Sequence, residues 1–60
     1  MKFIKLKESK IIEPNTQIVV KRIGDSNILF EGSMCACKTY EFQEIDCIVQ
    51  DDKELVIWLK

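Results

Sequence analysis

The stretch Glu44–Lys60 constrains this chain most: two runs that alternate apolar and polar residues flank Asp51-Asp52-Lys53. Alternation of period two is the mark of a strand, and an Asp-rich break between two such runs marks a hairpin. The apolar residues also select a register. Pairing Gln50 with Glu54 across a three-residue loop sets Val49 against Leu55, Cys47 against Ile57 and Ile45 against Leu59. Those six residues then form one apolar face. A two-residue loop that sets Val49 against Glu54 mixes the faces, and a slip of one residue reverses every side chain. The expected register is therefore the first. It leaves Ile48, Val56 and Trp58 on the opposite face, among Asp46, Gln50 and Glu54.

A second hairpin precedes it. Gln17–Ile23 is rich in β-branched residues, Gly24-Asp25-Ser26-Asn27 is a turn cluster, and Ile28–Glu31 is a strand that stops at Gly32. Here Val19 and Leu29 are expected opposite Ile18, Val20 and Phe30. Upstream, Ile4 and Leu6 alternate with Lys5 and Lys7, which reads as a short strand from Phe3 to Leu6. Lys7–Ile12 then reads as one or two helical turns that stop by Ile12, because Glu13 precedes Pro14; a continuing edge strand is the alternative. Ser33–Phe42 stays open between strand and helix: Ser33 suits a helix N-cap, whereas Thr39, Tyr40 and Phe42 suit a strand.

The fold expected is mostly β, α+β at the margin. Four to five antiparallel strands form a small twisted sheet or partly open barrel, with one or two short helical turns. The chain of 60 residues is one domain, 1–60. Domains this short bury only about 60% of the surface they expose when unfolded. A single small core rarely supplies more than ~3–5 kcal/mol. A lone sheet with one solvated face alternates cleanly, and this one does not, because both hairpins carry apolar residues on each face. Closure into a barrel, cover by the helical turns, or cover by another chain each explain the second face.

Apolar residues make up 47% of the chain and charged residues 32%, so neither a disordered tail nor a membrane segment is expected. Lysines interrupt the apolar steps of the N-terminus, so no export signal is expected and the cytoplasm is the default compartment. Residues 1–22 hold six basic residues against Glu8 and Glu13, a net +4, and residues 23–60 are −5. The two halves are expected to complement each other within one chain or between two.

Catalysis is not expected. There is no histidine to act as a base near neutral pH. Ser9, Ser26 and Ser33 lack a neighbouring activator, and Asp51-Asp52 belong to a turn. Gly24 and Gly32 form no phosphate-binding loop. No cofactor is expected. Tyr40, Phe42 and Trp58 lie in the acidic half, poor company for a phosphate backbone, so nucleic acid is a disfavoured partner. Cys35, Cys37 and Cys47 are an odd number with no histidine beside them. They read first as inert thiols, with metal or redox roles as alternatives.

Lys2-Phe3-Ile4-Lys5-Leu6-Lys7-Glu8, Asn15-Thr16-Gln17-Ile18-Val19-Val20, Ile28-Leu29-Phe30-Glu31-Gly32 and Leu55-Val56-Ile57-Trp58-Leu59 follow one another in this chain. That layout resembles short uncharacterised proteins of Gram-positive bacteria and their phages. The resemblance implies an accessory protein that modulates a host protein, and it brings no defined site residues. The leading expectation is a non-enzymatic protein-interaction module. Ile48, Val56 and Trp58 are its candidate binding residues, for a foreign protein or for self-association, because Trp flanked by aliphatic residues is typical of binding hot spots. A small nucleic-acid-binding β-barrel using the basic N-terminal half is the alternative.

Overall fold

The computed structural model describes residues 1–60. The β-branched run forms strand β1 (Gln17–Arg22), and after a turn the chain returns antiparallel as β2 (Ile28–Ser33). Gly24, at φ +86°, supplies the left-handed residue of that turn. Asp25 Oδ1 accepts the backbone N–H of Asn27 at 2.9 Å and holds the turn's second half. Val20 pairs with Phe30, but Lys21 pairs with Ile28, so Leu29 is an extra residue in the ladder. This bulge corrects one expectation. Leu29 packs against the core beside Phe30, and Ile28 takes the opposite face with Lys21.

The C-terminal hairpin consists of β3 (Ile45–Asp51) and β4 (Glu54–Leu59). Its register differs from the expected one. Asp51 pairs with Glu54 across a two-residue turn, Asp52-Lys53, in which Asp52 adopts φ +55°. Gln50 then faces Leu55, Val49 faces Val56, Ile48 faces Ile57 and Cys47 faces Trp58. The expected pair Ile45–Leu59 nevertheless forms, because the register shifts between Ile45 and Cys47. A shorter turn and one extra residue at Asp46 thus reach the same end point as a longer turn and a regular ladder. On β4 the core side stays with Leu55, Ile57 and Leu59, as expected. On β3 the faces exchange from Cys47 to Gln50, while Ile45 keeps its expected place in the core.

The sheet order is β2-β1-β4-β3. Both hairpins are antiparallel, whereas the central pair β1–β4 is parallel, from Ile18–Leu55 to Arg22–Leu59. The sheet is therefore mixed and open, with four strands. A parallel neighbour requires a crossover, because a tight turn can only reverse the chain. Residues 34–44 make part of that crossover, starting with a 3-10 turn at Met34–Ala36. Ser33 stands at its N-cap position without a side-chain cap bond.

The strand expected at Phe3–Leu6 is instead a helix, α1 (Phe3–Ser9). Alternating lysines also leave Phe3 and Leu6 three apart, on one helical face, and both are buried. Ser9 Oγ donates to the Leu6 carbonyl at 2.6 Å, and Lys10 at φ 59° ends the helix before Ile11. Phe3, Leu6, Met34 and Cys37 cover the sheet face formed by Ile18, Val20, Ile45, Ile57 and Leu59. All nine residues lie in one cluster on one side of the sheet.

Helix α1 is tied to the crossover by polar contacts. Lys7 Nζ donates to the Cys37 carbonyl at 2.6 Å and to Glu41 Oε2 at 3.0 Å. Phe3 N–H donates to the Gln43 carbonyl at 2.9 Å, and Ile45 N–H donates to the Met1 carbonyl at 2.8 Å. The N-terminal ammonium lies 3.1 Å from Glu44 Oε2. Its hydrogen bond, and then its charge, hold the Glu44 carboxyl below its ordinary range. The basic N-terminal half thus meets the acidic half at Lys7–Glu41 and Met1–Glu44.

Candidate interaction surface

Paired residues on neighbouring strands share a face, so the register builds the second side of the sheet directly. One row across it reads Glu31, Val19, Val56, Val49. The next reads Ile28, Lys21, Trp58, Cys47. No helix and no crossover residue of the core cluster lies on this side. Val19, with a strand on each side, is only 4% exposed, while Val56 and Trp58 are half-buried and Val49 is 45% exposed. Lys21 Nζ sits 5.4 Å from the centroid of the Trp58 ring. At that distance a cation is attracted to the ring face. By alternation, Asp51 and Glu54 frame the apolar rows at the turn end, and Glu31 closes them at the β2 edge.

The three residues expected at a binding surface divide. Val56 and Trp58 do lie together, two apart on β4. Ile48 does not join them: it faces Ile57, on the covered side, at the outer edge of the sheet. The one-residue slip moves it there. Val19, Ile28 and Val49 stand in its place. The preference of Asp52 for a left-handed turn was the signal for Val49, since a two-residue turn sets Val49 against Val56.

The cysteines do not converge. Cys35 and Cys47 are exposed and Cys37 is buried, and all three thiols are free. Cys37 Sγ lies 3.5 Å from the Thr39 carbonyl, and burial raises its thiol above the ordinary range despite the nearby Lys7 charge. Desolvation, and then Asp46, raise Cys47 in the same direction. No group of three or more His, Cys, Asp or Glu side chains is placed to hold a metal ion. On the covered side, Lys7, Lys10, Ile12, Glu13, Pro14, Met34 and Cys35 line an open cavity of about 450 Å³. No buried side-chain polar atom is left without a partner there or elsewhere. No helix is long and apolar enough to cross a membrane.

Comparison of the chain with protein-family models, curated proteins and solved structures finds no match.

Proposed function

We propose that this chain is a non-enzymatic protein-interaction module whose partner docks on the open sheet face around Val56 and Trp58. One observation carries the reading: the core is one-sided, so an apolar surface that includes the only tryptophan stays in contact with water. A partly buried aromatic ringed by aliphatic residues and a charged rim is the usual composition of a binding hot spot. The partner surface that fits is apolar at its centre and polar at its margin, because Lys21, Glu31, Asp51 and Glu54 surround the valines and Trp58. A cytoplasmic setting suits the exposed thiols of Cys35 and Cys47, which a reducing compartment keeps free. The accessory role implied by the layout resemblance, modulation of a host protein, is one form of the same reading.

The nucleic-acid alternative draws less support. Three of the six basic residues of the N-terminal half are engaged within the chain: Lys7 is bound to Glu41, Arg22 Nη2 donates to Gln43 Oε1 at 3.3 Å, and Lys21 lies on Trp58. The stacking surface offered by Trp58 is rimmed by acids, which repel phosphates.

Trp58→Ala tests the proposal. A protein retained from lysate by the immobilised wild-type chain, then purified, is expected to bind the variant roughly 30-fold or more weakly, the hot-spot range. Glu8→Gln, on the exposed side of α1, is expected to bind as wild type. Cooperative thermal unfolding of Trp58→Ala is expected to persist. A variant that no longer folds would place Trp58 in the core, and equal binding by both variants would move the site elsewhere.

A further inference from the structure

We infer that β3 is the interface for a second copy of this chain, joined edge to edge about a two-fold axis at Val49. Strand β3 is one of the two edges of the sheet, and after Ile45 every one of its residues is exposed. Edge strands of soluble domains are commonly blunted by charged residues, proline or a bulge. In β3, IDCIVQD, the bulge and Asp46 lie at one end and Asp51 at the other, which leaves Cys47–Gln50 with no charge, proline or bulge.

The free part of this edge has defined ends. Asp51 and Glu54 flank a two-residue turn and therefore exchange backbone hydrogen bonds. Alternation makes Val49–Val56 and Cys47–Trp58 hydrogen-bonded pairs as well. The N–H and C=O groups of Ile48 and Gln50 are then aimed outward. Beyond the bulge, the outward N–H of Ile45 is already taken by the Met1 carbonyl, and Phe3 N–H takes the Gln43 carbonyl. The N-terminal residues thus fill the lane beside Gln43–Ile45, and Asp46 interrupts the ladder. Cys47–Asp51 remains, with Val49 at its midpoint.

Antiparallel pairing of that whole stretch with itself has one solution. Ile48 meets Gln50 of the second copy, Gln50 meets Ile48, and Val49 meets Val49. Outward-facing residues meet outward-facing residues, so each of the two Ile48–Gln50 pairs exchanges both of its N–H···O bonds. Asp51 falls opposite Cys47, so no like charges oppose one another within the stretch; just outside it Asp46 of one copy comes opposite Asp52 of the other, where the bulge and the turn leave the ladder. The Val49 pair is of the non-hydrogen-bonded kind, in which side chains approach most closely. It joins the Val19–Val56–Val49 row of one copy to that of the other. Moving the axis to Ile48 drives the second copy's Asp51 onto Met1, and moving it to Cys47 drives Gln50 onto the lane that Lys2 occupies beside Glu44. The N-terminal lane and the bulge therefore block registers shifted toward Ile45. A shift toward the turn, with the axis at Gln50, sets Ile48 against the turn residue Asp52 and keeps only the Gln50–Gln50 hydrogen-bonded pair.

This pairing does not depend on what docks at Trp58. It leaves Val56 and Trp58 uncovered in both copies, so the Trp58→Ala variant is expected to dimerise as wild type. Light scattering in reducing buffer, across a concentration series, is expected to reach twice the chain mass of 7.0 kDa. Ile48→Pro removes an outward N–H without touching the β3–β4 ladder and is expected to return the mass to one chain. The register is read by single cysteines in a Cys35→Ser, Cys47→Ser background treated with oxidised glutathione. Val49→Cys is expected to form a covalent dimer, since facing residues of such a pair lie within disulfide reach. Ile48→Cys is expected to remain largely uncrosslinked. A single-chain mass at every concentration overturns the inference. So does a dimer that crosslinks through Ile48→Cys in preference to Val49→Cys, a result that also covers any case in which Ile48→Pro fails to fold.

Discussion

Phe3→Ala is expected to unfold the chain. Phe3 is fully buried, and it is the first residue of α1, the element that covers the sheet together with the crossover. Truncating a buried phenylalanine to alanine costs about 3–5 kcal/mol, as lost transfer energy and a cavity that the surroundings fill only in part. A single core of this size supplies about the same amount. The helix cannot offset the loss, because seven residues form no stable helix without packing. Phe3→Leu keeps most of the apolar volume and is expected to cost less than Phe3→Ala, because the cavity it leaves is smaller. Circular dichroism and amide dispersion in proton NMR check the pair. A Phe3→Ala variant that still melts cooperatively near the wild-type temperature would mean that α1 is not docked on the sheet.

Gly32→Ala is expected to be the most damaging single-methyl change outside the core cluster. Gly32 lies on β2 opposite Ile18, at φ +155°, in the region that side chains rarely adopt. An added Cβ would also stand 3.2 Å from Cζ of Phe30, so the ring would have to yield. Strained backbone of this kind costs about 1–3 kcal/mol. In a domain of this size each kcal/mol lowers the melting temperature by about 4–8 °C. Gly24→Ala is the useful comparison. It shares a positive φ but has nothing within 4 Å of the added atom, so the Phe30 contact is absent. A Gly32→Ala melting temperature equal to wild type would remove both the strain and the contact from the explanation.

What could be read from residues alone was local. The strands at Gln17–Arg22 and Glu54–Leu59 were legible because β-branched residues and turn residues agree there. The faces of β4 were legible for the same reason, which is why Val56 and Trp58 were placed together. The β3 register was not. Asp46 compensates for the shorter turn, and two ladders with the same closing pair satisfy one hydrophobic pattern. Leu29 escaped in the same way, through the bulge beside Val20. Helix and strand periodicities coincide over so few residues that Phe3–Leu6 fits both. The parallel β1–β4 pair has no local signature at all, since it depends on where the crossover lands. Val19 and Ile28 entered the candidate surface only through these long-range pairings.

Edge and face have separate roles in this reading. The β3 edge brings two copies together through backbone groups, whereas the face around Trp58 stays open in both copies. A dimer would present two such faces on one continuous sheet, which raises avidity for any partner able to span them.

The measurement that bears most directly on the one-sided core is side-chain exposure in solution, read by NMR with a soluble, uncharged paramagnetic probe. The Val56 methyl and Trp58 indole signals are expected to broaden strongly, while the methyl signals of Ile18, Val20 and Ile57 stay sharp. If Val56 and Trp58 were protected to the same degree as Ile57, the second face would be covered, and the surface proposed for partner binding would not be open to a partner.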